Sequence, residues 1–103
     1  MSREVVWTWA AEVDAQEAFV RLDETSPEAA QRFVATTDRV LELLQVFPHL
    51  AALWQAPVRR VAIRRSHYGL FYVAEPSRLV IVAVQDLRSD PERLRRELLR
   101  RLP

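Results

Sequence analysis

Apolar residues recur every three or four positions in three segments of the chain, which is the spacing of an amphipathic helix. The first segment follows Thr8, whose hydroxyl can cap a helix. The second opens with Ser26-Pro27-Glu28 and ends at Pro48, and the third opens with Ser89-Asp90-Pro91-Glu92. A cap residue, an early proline and an acid together favour the start of a helix. The predicted apolar faces are Ala11, Ala15, Ala18, Phe19 and Leu22 in the first helix, Ala30, Phe33, Val34, Thr37, Val40, Leu41, Leu44 and Phe47 in the second, and Leu94, Leu98 and Leu102 in the third.

Three further segments have the composition of strands. Val5–Trp9 is β-branched and aromatic, and two apolar runs, Gly69–Ala74 and Leu79–Val84, flank a predicted hairpin turn at Glu75-Pro76-Ser77-Arg78. Because Leu79–Val84 is apolar at every position, it predicts a central strand that is covered on both faces of a sheet. The aromatic residues of these segments are predicted to lie in the core; they are Trp7, Trp9, Phe71 and Tyr72.

The segment 58–65 alternates between apolar and polar positions, which is the pattern of a half-buried strand. Val61 and Ile63 point to one side of this strand. Arg60 and Arg64 point to the other side. The pattern therefore predicts a strand whose outer face carries arginine.

The order of these elements predicts an α+β fold in one domain, residues 1–103. It has an N-terminal strand, an antiparallel helical hairpin, a three-stranded antiparallel meander and a C-terminal helix. Residues 48–57 are predicted to form a connection held to the core by Leu53 and Trp54, and Ser66-His67 a tight turn. The helical hairpin is expected to cover one face of the sheet, which leaves the arginine-bearing face open to a partner.

Composition excludes several kinds of chemistry. The 103-residue chain has no cysteine, which excludes disulfides, thiol nucleophiles and cysteine-zinc sites. Its single glycine, Gly69, excludes a glycine-rich phosphate loop, and its two histidines, His49 and His67, argue against a histidine-based metal site. We therefore expect no metal and no cofactor. No apolar run approaches a membrane span and no signal-peptide core follows Met1, so we expect a cytoplasmic protein without a membrane partner.

The charge is distributed unevenly along the chain. The net charge is +1, but residues 1–50 hold four arginines and nine acids, for −5, whereas residues 51–103 hold eleven arginines and five acids, for +6. Lysine is absent. Arginine binds carboxylates and phosphates through its forked donors and does not titrate near neutral pH. The positive charge of the second half of the chain predicts a basic surface that binds an anionic partner. The use of arginine in place of lysine has an alternative explanation in genomic base composition.

The arginines of the predicted sheet are the strongest candidates for binding. Arg60 and Arg64 lie four residues apart on one predicted strand face, and Arg88 follows the central strand. Such an array can hold phosphates or acidic side chains through bidentate hydrogen bonds. The alternative is solvated charge with local ion pairs, for which Glu97 and Arg101 have the helical i,i+4 spacing. The candidate residues for binding a target or a partner protein are Arg59, Arg60, Arg64, Arg65, Arg88, Arg95 and Arg96.

The sequence contains less support for acid–base or nucleophilic catalysis. Ser66 and His67 are adjacent in a predicted turn, where neighbouring side chains point apart and form no dyad. His67 alone is a candidate general acid or base, and the alternative is a solvated turn histidine. Glu12, Asp14 and Glu17 do not converge on one helix face and are predicted to form a solvated acidic surface.

A set of short motifs occurs in a fixed order over nearly the whole chain. They are a tryptophan-containing first strand followed by Ala11 and Asp14, Ser26-Pro27-Glu28-Ala29-Ala30 with Phe33, Leu44 through Phe47-Pro48, Val58-Arg59-Arg60, Tyr68-Gly-Leu-Phe-Tyr72, and Ile81-Val-Ala-Val84 leading to Arg88 and Asp90-Pro91. In this order and spacing the chain resembles the RelE/ParE superfamily of bacterial type II toxins, and it resembles the ParE-like branch more closely. The resemblance implies a toxin that inhibits bacterial growth and is neutralised by a cognate antitoxin, with which it would form a hetero-oligomer.

The resemblance implies different activities for the two branches of this superfamily. RelE-like members cleave mRNA on the ribosome with basic residues of the sheet and a residue near the C-terminus, whereas ParE-like members inhibit DNA gyrase and are not known as nucleases. The first sheet lysine of the RelE-like site falls on Arg60, which keeps the charge. The next two basic positions fall on Ala62 and Gly69, and no tyrosine, histidine or lysine follows Tyr72.

The resemblance therefore implies a gyrase inhibitor without catalytic residues of its own. The alternative is a ribosome-dependent mRNA endoribonuclease that uses Arg60, Arg64 and Arg88 to stabilise phosphorane charge. A third reading is a protein of the same fold that has lost toxicity and only pairs with a partner.

Overall fold

Residues 2–102 are described by a computed structural model of the chain. This part of the chain forms five strands and three helices, in an order that agrees with the predicted α+β fold. The elements are β1 (Glu4–Trp7), α1 (Trp9–Thr25), α2 (Pro27–Val46), β2 (Ala52–Gln55), β3 (Val58–Ala62), β4 (Tyr68–Ala74), β5 (Arg78–Asp86) and α3 (Pro91–Arg101).

The five strands form one sheet in the order β1-β5-β4-β3-β2. Strands β2 to β5 are antiparallel neighbours, and β1 pairs with β5 in parallel, with Trp7 opposite Ile81. The strand β5 is therefore an interior strand, as its uninterrupted apolar run predicts. The predicted meander of three strands is confirmed and is extended by β2 at its far edge.

Both faces of the sheet are covered by helices. On one face, α1 and α2 pack on a core that includes Phe33, Leu44 and Tyr72. On the other face, α3 packs through Leu94 and Leu98 onto a second group of buried residues from β3, β4 and β5. The face that was expected to be open to a partner is thus largely occupied by α3.

The three helix starts are capped as the sequence predicts. The hydroxyl of Thr8 accepts a hydrogen bond from the Ala11 N–H at 3.1 Å, and the hydroxyl of Ser26 accepts one from the Ala29 N–H at 3.2 Å. The carboxylate of Asp90 begins α3 in the same way. Each cap satisfies one of the backbone N–H groups that the first turn of a helix leaves without a partner.

Several predictions on local structure are wrong. Trp9 begins α1 instead of ending β1, and it is 79% exposed instead of lying in the core. The connection 48–57 contains β2, in which Leu53 is exposed and only Trp54 contacts the core, with its ring edge-on to Phe71. Val34 and Phe47, at the margin of the predicted α2 face, are also exposed.

No helix in residues 2–102 is both long enough and apolar enough to cross a membrane. Within the same residues, no three histidine, cysteine, aspartate or glutamate side chains lie close enough together to hold a metal ion.

Candidate functional site

The sheet edge along β5 is covered by β1 only as far as Ile81. The last backbone contact there is the Thr8 N–H, which donates to the Ile81 carbonyl at 3.1 Å. Beyond this point two backbone groups of β5 are bonded by side chains. The Val84 N–H donates to Oδ2 of Asp14 at 3.0 Å, and the Val82 carbonyl accepts from Nη1 of Arg101 at 3.0 Å. Asp14 and Arg101 therefore continue the edge contacts that β1 begins.

Asp14 and Arg101 also bind each other directly. Nη1 of Arg101 donates to Oδ2 of Asp14 at 2.7 Å, and Nη2 donates to Oδ1 at 3.1 Å, which is the bidentate geometry of a strong charged pair. The side chain of Arg101 is only 16% exposed, and that of Asp14 is 9% exposed. The hydrogen bond to Asp14 raises the pKa of Arg101 above its ordinary value. The pair ties α1, β5 and α3 together, which corrects the prediction that Asp14 belongs to a solvated acidic surface.

A groove lies beside this pair between α1 and α3, with a volume of about 610 Å³. We call it the α1–α3 groove. Its lining includes Trp9 at the start of α1, the α3 arginines Arg93, Arg96, Arg100 and Arg101, and the carboxylates of Asp14, Glu17 and Glu97. Tryptophan and arginine are enriched among the few residues that contribute most of the binding energy at protein interfaces.

Glu97 connects the arginines at the end of α3. It forms ion pairs with Arg100 and with Arg101, the second at 2.9 Å. The hydrogen bonds from Arg100 and Arg101 hold the pKa of Glu97 below its ordinary value. The predicted i,i+4 pair between Glu97 and Arg101 is confirmed.

This lowered pKa predicts a measurable dependence of stability on pH. Because the folded-state pKa of Glu97 is depressed, its contribution to stability is present above the ordinary glutamate value of about 4.3 and is lost as pH falls through the lower folded value. Glu97→Gln should lower the free energy of unfolding at pH 7 by about 1 kcal/mol or less, since the pair is one-third exposed on the Glu97 side. Urea unfolding at pH 7 and pH 3 measures the free energy of unfolding of both proteins. The difference in this free energy between wild type and variant should be smaller at pH 3. An equal difference at both pH values would contradict the assignment.

Arg88 lies in a separate pocket at the end of β5. Its guanidinium binds Asp86 through two hydrogen bonds of 3.1 and 2.8 Å, which lower the pKa of Asp86. The pocket has a volume of about 420 Å³, and His67 and Tyr68 also line it. Arg88 is thus positioned at the exit of the central strand as predicted, but its charge is already matched by a neighbouring carboxylate.

Arg59 has a local structural contact. Its Nη1 donates to the Ala51 carbonyl at 2.8 Å and holds the segment that leads into β2. The buried hydroxyl of Tyr72 donates to the Pro48 carbonyl at 2.8 Å and fixes the start of the same segment. Residues 48–51 are therefore anchored by two side chains of the sheet.

Arg60 and Arg64 do not share a strand face. Arg60 is an exposed residue of β3 on the side of Val58, which packs under α3. Because β3 ends at Ala62, Arg64 lies in the following turn together with Arg65. The alternation of residues 58–65 thus predicts the strand but overestimates its length.

Arg64 and Arg65 line a groove of about 520 Å³ with the outer side of α2. We call it the α2–turn groove. Two arginines of α2, Arg32 and Arg39, complete its basic lining. Neither of these two helix residues is among the candidates that sequence analysis identifies.

The candidate arginines therefore lie in separate places. Arg64 and Arg65 are in the α2–turn groove, Arg96 is in the α1–α3 groove, and Arg88 is in the pocket at the end of β5. Arg95 lies on α3 and donates to the Gln55 side chain of β2 at 3.3 Å. The assignment of these residues to binding a target or partner stays a prediction.

Comparisons with known proteins agree with the fold and also identify the family of the chain. A family model described as the ParE toxin of the type II toxin-antitoxin system, parDE, matches residues 5–99. No curated protein matches the sequence. Seven solved chains match in structure, among them one from the chromosomal ParDE TA system of P. aeruginosa. That match has a TM-score of 0.69 at 17% identity and covers 82% of this chain and 96% of the other.

Proposed function

Because the chain belongs to the ParE toxin family of type II toxin–antitoxin systems, we propose that it arrests bacterial growth by binding DNA gyrase and that a cognate antitoxin neutralises it. The observation that carries this proposal is the family match over residues 5–99, which spans nearly all of the chain. On this reading the protein is a toxin that acts by binding a target and has no catalytic residues of its own.

The positions of the arginines favour binding over mRNA cleavage. A ribonuclease needs groups that stabilise the phosphorane and transfer protons at a single place. Arg64 lines the α2–turn groove, Arg88 is paired with Asp86 at the end of β5, and Arg60 is on the face of the sheet below α3. This separation gives no support to a joint catalytic role for the three.

We place the contact with the target in the α1–α3 groove. Trp9 presents most of its ring to solvent, and Arg93 and Arg96 form no salt bridge within residues 2–102. A tryptophan and arginines that fill a pocket on a partner account for much of the binding energy in many protein interfaces. An exposed side chain of this size on α1 also has no evident role in the stability of the fold.

The test is inhibition of plasmid supercoiling by purified gyrase, with ribosome-dependent mRNA cleavage measured in parallel. We expect inhibition of supercoiling and no cleavage. Trp9→Ala should raise the inhibitory concentration about tenfold or more. Phe47→Ala is the matched control, because Phe47 is an exposed aromatic residue outside the groove, and it should have no effect.

Two results would contradict the proposal. Cleaved mRNA with unaffected supercoiling would favour the RelE-like endoribonuclease, and loss of cleavage in Arg60→Ala, Arg64→Ala or Arg88→Ala would identify its residues. Unimpaired growth on expression of the chain alone, together with uninhibited gyrase, would favour a protein that has lost toxicity.

A further inference from the structure

A cleft with a volume of about 330 Å³ lies between α1, α2 and the end of β1. We call it the α1–α2 cleft. Its lining from α1 consists of Glu12, Ala15, Gln16 and Phe19, which have the i, i+3, i+4 and i+7 spacing of one side of a helix. From Glu12 to Phe19 this side extends about 10 Å along the helix axis, at about 1.5 Å per residue. The cleft therefore has the length of a small molecule.

Three aromatic side chains line the cleft. They are Trp7 of β1, Phe19 of α1 and Phe33 of α2. Phe19 lies seven residues before Ser26, at which the two helices meet, and Phe33 lies seven residues after it, so the two rings enter the cleft from opposite helices. Phe33 is 4% exposed, and its ring is held edge-on to that of Tyr68 with the centroids 5.7 Å apart. This part of the aromatic wall is thus fixed by the core of the protein.

The charges of the cleft are all negative. Its charged lining residues are Glu12 and Asp38, both exposed, and within residues 2–102 neither forms a salt bridge. The hydroxyl of Thr37, which also lines the cleft, donates to the Phe33 carbonyl at 2.7 Å and so already has its acceptor. Two unmatched carboxylates beside an aromatic wall favour a cationic ligand.

The combination of rings and carboxylates favours one class of cation. The face of an aromatic ring carries partial negative charge and attracts ammonium groups, including quaternary ones. A metal ion requires several oxygen or nitrogen ligands close together, and the described part of the chain contains no such group of acidic or histidine side chains. Ligand pockets in proteins usually have volumes of about 300–1,000 Å³, so this cleft suits a ligand at the small end of the range.

We propose that the α1–α2 cleft binds a small organic cation, an amine or quaternary ammonium compound with a short apolar part. The cationic group of the ligand lies against the rings of Trp7 and Phe19 and beside the carboxylates of Glu12 and Asp38. Its apolar part contacts Phe33. The cleft shares no lining residue with the α1–α3 groove or the α2–turn groove, so this inference does not rest on the proposed function.

The experiment is a titration of the full, ¹⁵N-labelled chain with choline chloride, followed by proton–nitrogen correlation spectra. Sodium chloride holds the ionic strength constant throughout the titration. The indole N–H groups of Trp7, Trp9 and Trp54 are three separate reporters, of which Trp7 alone lines the cleft. The control ligand is 3,3-dimethylbutan-1-ol, which has the shape of choline but no charge.

Three variants test the groups of the cleft. Glu12→Gln/Asp38→Asn removes both charges and keeps the size of the side chains. The matched control is Glu17→Gln/Glu42→Gln, which removes two charges from exposed residues of the same helices outside the cleft. Phe19→Leu removes one ring and keeps an apolar side chain. Circular dichroism confirms the folding of each variant.

We expect choline to shift the Trp7 indole signal with about equal affinity in the wild type and in the control variant. The affinity should fall about fivefold or more in Glu12→Gln/Asp38→Asn and about threefold or more in Phe19→Leu. The neutral alcohol should bind the wild type about tenfold more weakly than choline does.

Four results would each overturn the proposal. They are the absence of a choline-dependent shift at Trp7, unchanged affinity in either test variant, an equal loss of affinity in the control variant, and equal affinities of the wild type for choline and for the alcohol. The last result would show that the cleft selects ligands by shape alone.

Discussion

Replacing Asp14 by alanine is expected to lower the free energy of unfolding by about 3–5 kcal/mol, since it leaves Arg101 without its principal partner in a site that is mostly buried. The change also removes the acceptor of the Val84 N–H. Guanidinium unfolding followed by circular dichroism measures the effect. Glu17→Ala is the matched control on the same helix, because Glu17 is exposed and forms no salt bridge within residues 2–102.

A double-mutant cycle separates the pair from its surroundings. Arg101→Met leaves the Asp14 carboxylate buried without its cation and should also destabilise the protein. The double variant Asp14→Leu/Arg101→Met should lose less than the sum of the single changes, because it leaves no buried charge at the site. Additive losses would contradict the assignment of a coupled pair, as would a loss from Asp14→Ala no larger than that from Glu17→Ala.

Leu98→Ala is expected to lower the free energy of unfolding by about 2–5 kcal/mol. Leu98 is completely buried and is one of two leucines that hold α3 on the sheet. Since α3 contributes few other buried side chains, we also expect faster amide hydrogen exchange in α3 than in the strands of this variant.

The adjacent residue provides the control for this change. Leu99 has the same side chain but is 40% exposed, so Leu99→Ala should cost about 0.5–1 kcal/mol. Similar losses at the two positions would show that α3 is not docked through the face that contains Leu94 and Leu98. Uniform exchange across the whole Leu98→Ala variant would show that α3 unfolds only with the rest of the domain.

Helix positions could be predicted because their signals are local. Ser26-Pro27 and Asp90-Pro91 determine where two helices begin through hydrogen bonds within the first turn, and apolar spacing determines which side is buried. The interior position of β5 follows from its uninterrupted apolar run in the same way. Such signals require only the chemistry of neighbouring residues.

The remaining features depend on partners that are distant in sequence. β2 is a four-residue edge strand that pairs, among the strands described, only with β3. Because this pairing determines its structure, its own sequence indicates no more than a connecting segment. The partner of Asp14 lies 87 residues away. One local signal was available, because Asp14 is three residues after Ala11 and four before Ala18, which places it on the buried side of α1.

The arginine sites show the same limit. Strand alternation predicts that Arg60 and Arg64 lie together, but the turn after Ala62 moves Arg64 beside α2. Arg32 and Arg39 are seven residues apart on a solvent-facing side of α2, where such residues are ordinarily only solvated. Their significance depends on the approach of the turn, which no local pattern encodes.

The side chains that cover the edge of β5 also bear on aggregation. Leu79–Val84 is an uncharged, proline-free run of six residues rich in valine, the composition of segments that assemble into cross-β fibrils. An uncovered edge on such a strand is a template to which another molecule can add a strand. Because Asp14 and Arg101 occupy backbone groups of Val82 and Val84, we expect variants that lose the pair to form thioflavin-positive aggregates at concentrations where the wild type forms none.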